Sequence, residues 1–356
     1  MPPALHPDGR PMLIGSQPLQ DHEQATQLVL RHVPEIPNWV QLPVYPQEGM
    51  VAQFAPGMPG LVSADDRIYV DTSRDDFDAR MVAFFEAYLG VMEQPEQLDE
   101  SPFALDPALA KGFFSLLAAL ADRRPAELFA VKGQITGPFT FCTGLTDQDR
   151  RAIFYDDALR DAAVKMMAVK AAWQVRQLAR FQVPVILFID EPALAGYGSS
   201  EFISISRQDI VQCLSEVIQA VHDQGGMAGV HVCANTDWSL LLEAGADIVN
   251  FDACGYFDKV MLYGKQLAEF IGGGGCLAWG MVPTGDADQV AEATLDGLWA
   301  DWQAKVAQLA AIGLDPRTIR RQAFITPSCG TGSLPPDAGA KVLALTRDLA
   351  RRVRAD

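Results

Sequence analysis

The sequence predicts an α/β fold: a single (β/α)8 barrel over residues 1–356, one domain, with a hairpin and loop inserted near its N-terminus. Three observations carry this reading. Short apolar runs recur along the chain, each ending in small or polar residues, and helical patterns separate most of them. Such alternation implies a parallel sheet. The runs are nearly continuous in apolar residues, as strands buried on both faces are. The first run is followed by SQPLQDHEQA, without the G-x-G-x-x-G turn by which a doubly wound sheet usually holds a phosphate.

The elements follow in order. MLIGSQP (12–18) is the first strand. WVQLPVY (39–45) and RIYVDTS (67–73) read as a hairpin inserted into the barrel, joined by the Gly-, Pro- and Met-rich stretch 46–66. That stretch is either an ordinary long loop or a lid or docking surface. LFAVKGQITG (128–137), VPVILFIDEP (183–192), MAGVHVCA (227–234), DIVNFDAC (247–254), CLAWGMVP (276–283) and AFITPSCG (323–330) supply further strands. Apolar periodicity predicts helices within 76–95, 149–181, 207–224, 287–312 and 335–352. IGGGGC (271–276) precedes a strand instead of opening a helix, so it reads as a turn. About eight β/α units at this length favour closure into a barrel.

Composition excludes some classes. The net charge is -17, and such a surface repels phosphate backbones and anionic lipid, against nucleic acid or a membrane as partner. No apolar stretch reaches membrane-spanning length, and the opening MPPALHPDGR lacks the pattern of a signal peptide. Six cysteines spread over 356 residues are no disulfide framework. A reducing, cytoplasmic location is expected.

Function in such a barrel gathers at the C-terminal ends of strands. There the sequence places Gly15-Ser16, Asp190-Glu191, His231-Val232-Cys233, Asp252-Ala253-Cys254 and Ser328-Cys329-Gly330. Residues i and i+2 of a strand face the same side, so His231 and Cys233 aim at one point. Taken singly, each of His231, Cys233 and Cys329 reads as an ordinary core residue. Together at one rim they form a set of one nitrogen and two sulfurs, which suits zinc with a fourth position open. Thiolate ligands make zinc a weak activator of water but a good holder of an incoming thiol. That points to alkyl transfer to sulfur. Adjacent Asp190 and Glu191 point apart: one for a substrate ammonium or the metal site, the other for a helix cap or a base. Cys142, Cys213, Cys254 and Cys276 are assigned to packing, with Cys254 nearest the rim.

The set IGSQP (14–18), VKGQITGP (131–138), IDEPAL (189–194), HVC (231–233) and TPSCG (326–330) resembles the cobalamin-independent methionine synthase family, within the wider uroporphyrinogen decarboxylase superfamily. Order and spacing match the catalytic C-terminal half, over nearly the whole chain. The resemblance implies a catalytic zinc held by His231, Cys233 and Cys329, with Asp252 where the family has a glutamate ligand. It implies homocysteine as acceptor, contacted by Ile14, Gly15 and Ser16, with Asp190 on its amino group. Two departures bear on the methyl donor. This sequence has no counterpart of the family's N-terminal half, which helps bind polyglutamylated folate, and no basic tract for a glutamate tail. A family glutamate expected after 67–73 has no match in IYVDTSRDD. A short, one-barrel chain of this kind resembles the "core" methionine synthases, and that resemblance implies methylcobalamin, free or on a corrinoid protein partner, as donor in place of folate. The alternatives are another thiol such as coenzyme M, a porphyrinogen decarboxylase, or a non-catalytic zinc or corrinoid binder.

Overall fold

In this computed structural model, which describes residues 5–64 and 67–356, seven strands pair in parallel. They are β1 (Arg10–Pro11), β4 (Val131–Thr136), β6 (Val185–Asp190), β7 (Met227–Val232), β8 (Ile248–Phe251), β9 (Cys276–Val282) and β10 (Ala323–Pro327), in the order β1-β10-β9-β8-β7-β6-β4. The sheet curls into an open barrel flanked by helices. The eightfold closure expected from the sequence is present only in part. Between edge strands β1 and β4 there is no ladder. Residues 35–41 cross this seam through isolated parallel bridges, Ser16 with Gln41 and Asn38 with Lys132. The run 39–45 stands where an eighth strand would lie, and Pro37 just before it and Pro43 within it limit what this segment can donate to a ladder.

The hairpin differs from expectation. β2 (Leu61–Ala64) pairs antiparallel with β3 (Arg67–Val70), and β3 pairs in parallel with the short β5 (Thr146–Asp147). So 67–73 pairs with 61–64, not with 39–45, and belongs to a separate three-stranded sheet. Two residues of the stretch 46–66, numbers 65 and 66, lie outside the described residues, as do residues 1–4 of the opening MPPALHPDGR. The rest of the stretch is packed down: Phe54, Ala55 and Met58 are buried in the main core, and Thr136 Oγ1 donates to the Met50 carbonyl at 2.7 Å.

Period-two alternation sorts the strand residues into two cores. Val131, Ile135, Leu187, Ile189, Val230, Val249 and Ile325 pack outward under the helices. Met12, Ile14, Ala130, Ile186, Phe188, Met227, Ile248, Cys276, Ala278 and Phe324 fill the barrel interior. The expected helices form at Phe77–Glu93, Asp157–Leu178, Arg207–Asp223 and Pro336–Ala355, and 287–312 splits into Ala287–Glu292 and Leu295–Ala311. Ser206 and Asp209 close a capping box on Arg207–Asp223. Among the described residues no helix is long and apolar enough to cross a membrane.

Candidate metal centre

The alternation that fills the barrel with apolar side chains places polar ones on the same faces one step nearer the mouth. Register lines up Thr136, Asp190, His231, Asn250 and Ala278 across five adjacent strands. Cys233 follows His231 by two residues. At the far side, the β9–β10 register slips between Thr326 and Pro327. A bulge of this kind re-aims the chain that follows it, and Cys329 comes two residues later.

The structure brings His231, Cys233 and Cys329 together: their donor atoms all lie within 4.8 Å of one another. Cys329 Sγ is 3.6 Å from His231 Nε2. His231 is buried, while both cysteines are half-buried beside open space. Asn250, fully buried, bonds His231 Nδ1 through Oδ1. Its Nδ2 donates to the Ala278 carbonyl at 2.8 Å and to Thr326 Oγ1 at 3.0 Å. Sequence reading passed over Asn250. Its signal was an amide in the middle of the apolar run DIVNF, which a buried strand admits only with its hydrogen bonds satisfied.

The electrostatics follow from this crowding. Hydrogen bonds from Cys329 and His231 pull the Cys233 thiol far below its ordinary value. The same bond to Cys233, with burial, drives Cys329 up. One thiolate is thus favoured even before a metal arrives. Burial disfavours the His231 cation, but the bond to Cys233 and the charges of Asp190 and Cys233 outweigh it, and the net shift is upward.

Asp190 stands at the end of β6. Burial raises its pKa, with His231 and Lys132 pulling the other way. Its Oδ1 is enclosed and has no hydrogen-bond partner among the described residues. A buried carboxylate oxygen left unpaired costs free energy unless something arrives to bind it.

Adjacent Glu191 is fully buried and turns away, as adjacent carboxylates must. It accepts from the Phe139 and Thr140 amides at 2.9 and 2.8 Å and from Thr140 Oγ1 at 2.6 Å, capping helix Pro138–Gly144 after β4. Gly137 makes this approach possible, since a Cβ there would lie 2.1 Å from Glu191 Cδ. Burial nevertheless pushes Glu191 up to about 7.

Asp252 is near the donor set but outside it. Its Oδ1 accepts from the Cys254 and Gly255 amides at 2.8 and 3.1 Å, capping helix Ala253–Val260. Cys233, Cys329 and Asp252 line a cavity of about 710 Å³ with Cys254, Thr284 and Ser328. Cys142, Cys213 and Cys276 are packed as expected, whereas Cys254 is exposed on this wall.

Of the first-strand motif, the Ile14 carbonyl already accepts from Lys132 Nζ, and the Gly15 carbonyl from the Gln41 amide at 3.3 Å. Ser16 Oγ accepts from the Gly332 amide at 3.3 Å and lies against Gly330, where a Cβ would come within 2.0 Å of it. The motif reaches the site through Gly330, next to Cys329. Lys132 is a second residue the sequence reading missed. It is fully buried inside the barrel, 4.5 Å from the Phe188 ring centroid, and burial lowers its pKa to about 8.

The fold and site thus define an open parallel α/β barrel with one nitrogen and two sulfur donors converging at its mouth. No family profile matches the sequence, and no curated protein matches it. Among solved structures, the chain is similar to a methyltransferase from Methanosarcina mazei, with a TM-score of 0.51 and 13% identity over 92% of this chain and 84% of that one. At that identity the likeness is one of fold.

Proposed function

We propose that the chain is a zinc-dependent methyltransferase that methylates the thiol of homocysteine to give methionine, taking the methyl group from a methylcorrinoid carried by a partner protein. The observation that carries this reading is the convergence of His231, Cys233 and Cys329. One imidazole and two thiols fit zinc by donor chemistry. The unlaboured position left by a three-donor set, facing a cavity, suits catalysis more than storage. Asp252 is occupied as a helix cap, so a closed four-ligand carrier site is the weaker reading. Bound there, zinc would supply a Lewis acid that keeps an incoming thiol deprotonated at neutral pH.

The chain's own residues do the rest. His231 and the two cysteines hold the metal. Asp190, with its unpaired Oδ1, is placed to bind an ammonium group, as an amino acid acceptor requires. The only charged side chain among the described residues lining the cavity is Asp252. That wall disfavours the sulfonate of coenzyme M and the carboxylates of a porphyrinogen. The likeness of fold to a methyltransferase supports methyl transfer.

Zinc-edge X-ray absorption, with and without L-homocysteine, tests this. The expected result is one zinc bound by two sulfurs and one nitrogen, gaining a third sulfur at about 2.3 Å when the amino acid is added. Zinc that ignores homocysteine transfers the proposal to another thiol. A chain that takes up no stoichiometric zinc refutes it.

A further inference from the structure

The histidine of the donor set has two nitrogens, and only one can face the sulfurs. Which one carries the proton is decided by what holds the other. His231 Nδ1 meets Asn250, and the amide of Asn250 is itself fixed. The Ala278 carbonyl can only accept, so the group 2.8 Å from it is the NH2 and not the oxygen. A second amide hydrogen reaches Thr326 Oγ1 at 3.0 Å. With both amide protons committed, Oδ1 is what remains for His231, and it can only accept. Nδ1 must then carry a hydrogen. Nε2, 3.6 Å from Cys329 Sγ, is left with its lone pair toward the sulfurs.

We infer that Asn250 is a positioning residue for the metal centre: anchored on Ala278 and Thr326, it locks His231 in the Nδ1–H form with Nε2 free to ligate. The inference rests on the zinc reading above. The chain of contacts runs through β7, β8, β9 and β10, so the ring is set by four neighbouring strands rather than by a loop. Fully buried Asn250 has no water to replace any of these partners.

The test uses the purified full chain. Zinc affinity is measured by competition with a chelator for wild type, Asn250→Ala and Asn250→Asp. The histidine tautomer is read by nitrogen-15 NMR in the metal-free chain. Asn250→Ala should weaken zinc binding by about 10–100-fold, the usual effect of losing an outer partner of a metal-bound histidine. Asn250→Asp keeps the volume and an acceptor for Nδ1 but sets a second acceptor against the Ala278 carbonyl, so its affinity should fall between wild type and Asn250→Ala, whereas a mere packing role would leave it at the wild-type value. Metal-free wild type should show His231 protonated at Nδ1, and Asn250→Ala should lose that preference. Thr326→Val, which removes one anchor and keeps the volume, should weaken zinc in the same direction if Asn250→Ala fails to fold. An Asn250→Ala chain that folds and binds zinc within twofold of wild type overturns the inference. So does a neutral wild-type His231 whose single proton sits on Nε2. Failure of wild type to bind zinc refutes the proposed function instead, and the tautomer still decides whether Asn250 sets the ring.

Discussion

The two sides of this barrel are held together by different means. From β6 to β10 the strands are laddered, with one slip in register between Thr326 and Pro327, and the donor set, Asn250 and Thr326 ride on them or on their ends. From β1 to β4 the continuous ladder gives way to isolated backbone bridges through residues 35–41, such as Lys132 N to the Pro37 carbonyl at 2.9 Å, and side chains add to the joining. Lys132 Nζ crosses to the Ile14 carbonyl, and Gln134 Nε2 donates to the Trp39 carbonyl at 2.9 Å. Gln41 Nε2 donates to Gln53 Oε1 at 2.6 Å, and Gln53 Nε2 to the Leu109 carbonyl at 2.7 Å. A metal site needs its donors fixed to a fraction of an ångström, and the laddered side provides that. The stitched side relies on isolated backbone bridges and single side-chain bonds, each worth about 1 kcal/mol net. The molecule thus divides into a continuously laddered half that carries the donor set and a seam held bond by bond.

The sharpest break in this comparison is on the laddered side. Structural zinc sites contribute about 10–16 kcal/mol, so losing one of three protein ligands costs on the order of 3–5 kcal/mol, hundreds- to thousands-fold in affinity. Cys329→Ala should lose zinc by about that factor. Because Cys329 sits half-buried at the mouth, the metal-free melting temperature should change little. Chelator competition and thermal unfolding of the stripped chain measure the two. A variant that keeps its zinc would remove Cys329 from the site.

Next in size is Lys132, in the seam. Its pKa is lowered from 10.5 to about 8 by burial, opposed by Asp190. The folded chain therefore holds fewer protons than the unfolded chain between pH 8 and 10.5, and stability from this group rises as pH rises through that window. Below pH 8 the buried charge costs on the order of 3 kcal/mol. Lys132→Met should abolish this rise. Lys170, shifted in the same direction by burial, remains in both chains, so the difference between the two curves belongs to Lys132. Denaturant midpoints at pH 7.5, 9 and 10.5 give the curves, and parallel curves would mean that Lys132 is not buried as a cation.

How far the sequence reveals each side follows from the same contrast. Strands from 185 onward appear as apolar runs, because a ladder buried on both faces demands continuous apolar residues. Their ends carry the donor set, so His231, Cys233 and Cys329 could be brought together by period two and by strand-end logic alone. The seam gives no such signal. Residues 35–41 are crossed by prolines and tied by glutamines, and a glutamine in sequence does not announce which carbonyl it will find. The hairpin differs from expectation because WVQLPVY and RIYVDTS look alike as apolar runs, while Arg67–Val70 takes Leu61–Ala64, its near neighbour in sequence, as partner. Asp252 stands where the resemblance implies a glutamate ligand. Strand end and helix start coincide there, and the same position that suits a ligand also suits an N-cap. Asn250 was passed over because one buried amide in an apolar run looks like noise until its three partners are seen.

The smallest effect tests the seam most directly. Gln53 is buried, and Gln53→Ala strips the Leu109 carbonyl and the Gln41 amide of their partner. The cost should be about 1–2 kcal/mol, the penalty for leaving part-buried polar groups unpaired. Where that cost is felt matters more than its size. On the β1 side of the seam the backbone bonds are Gln41 N to the Gly15 carbonyl and Gln17 N to the Gln41 carbonyl, at 3.3 and 3.0 Å. If the seam opens on its own, hydrogen exchange at Gln41 and Gln17 should speed up about tenfold in the variant, while the amides of β7, β8 and β9 keep their wild-type rates. Acceleration of equal size on both sides would show that the barrel opens only as one unit. The division into a laddered half and a stitched half would then describe how the strands are bonded, but not how the molecule moves.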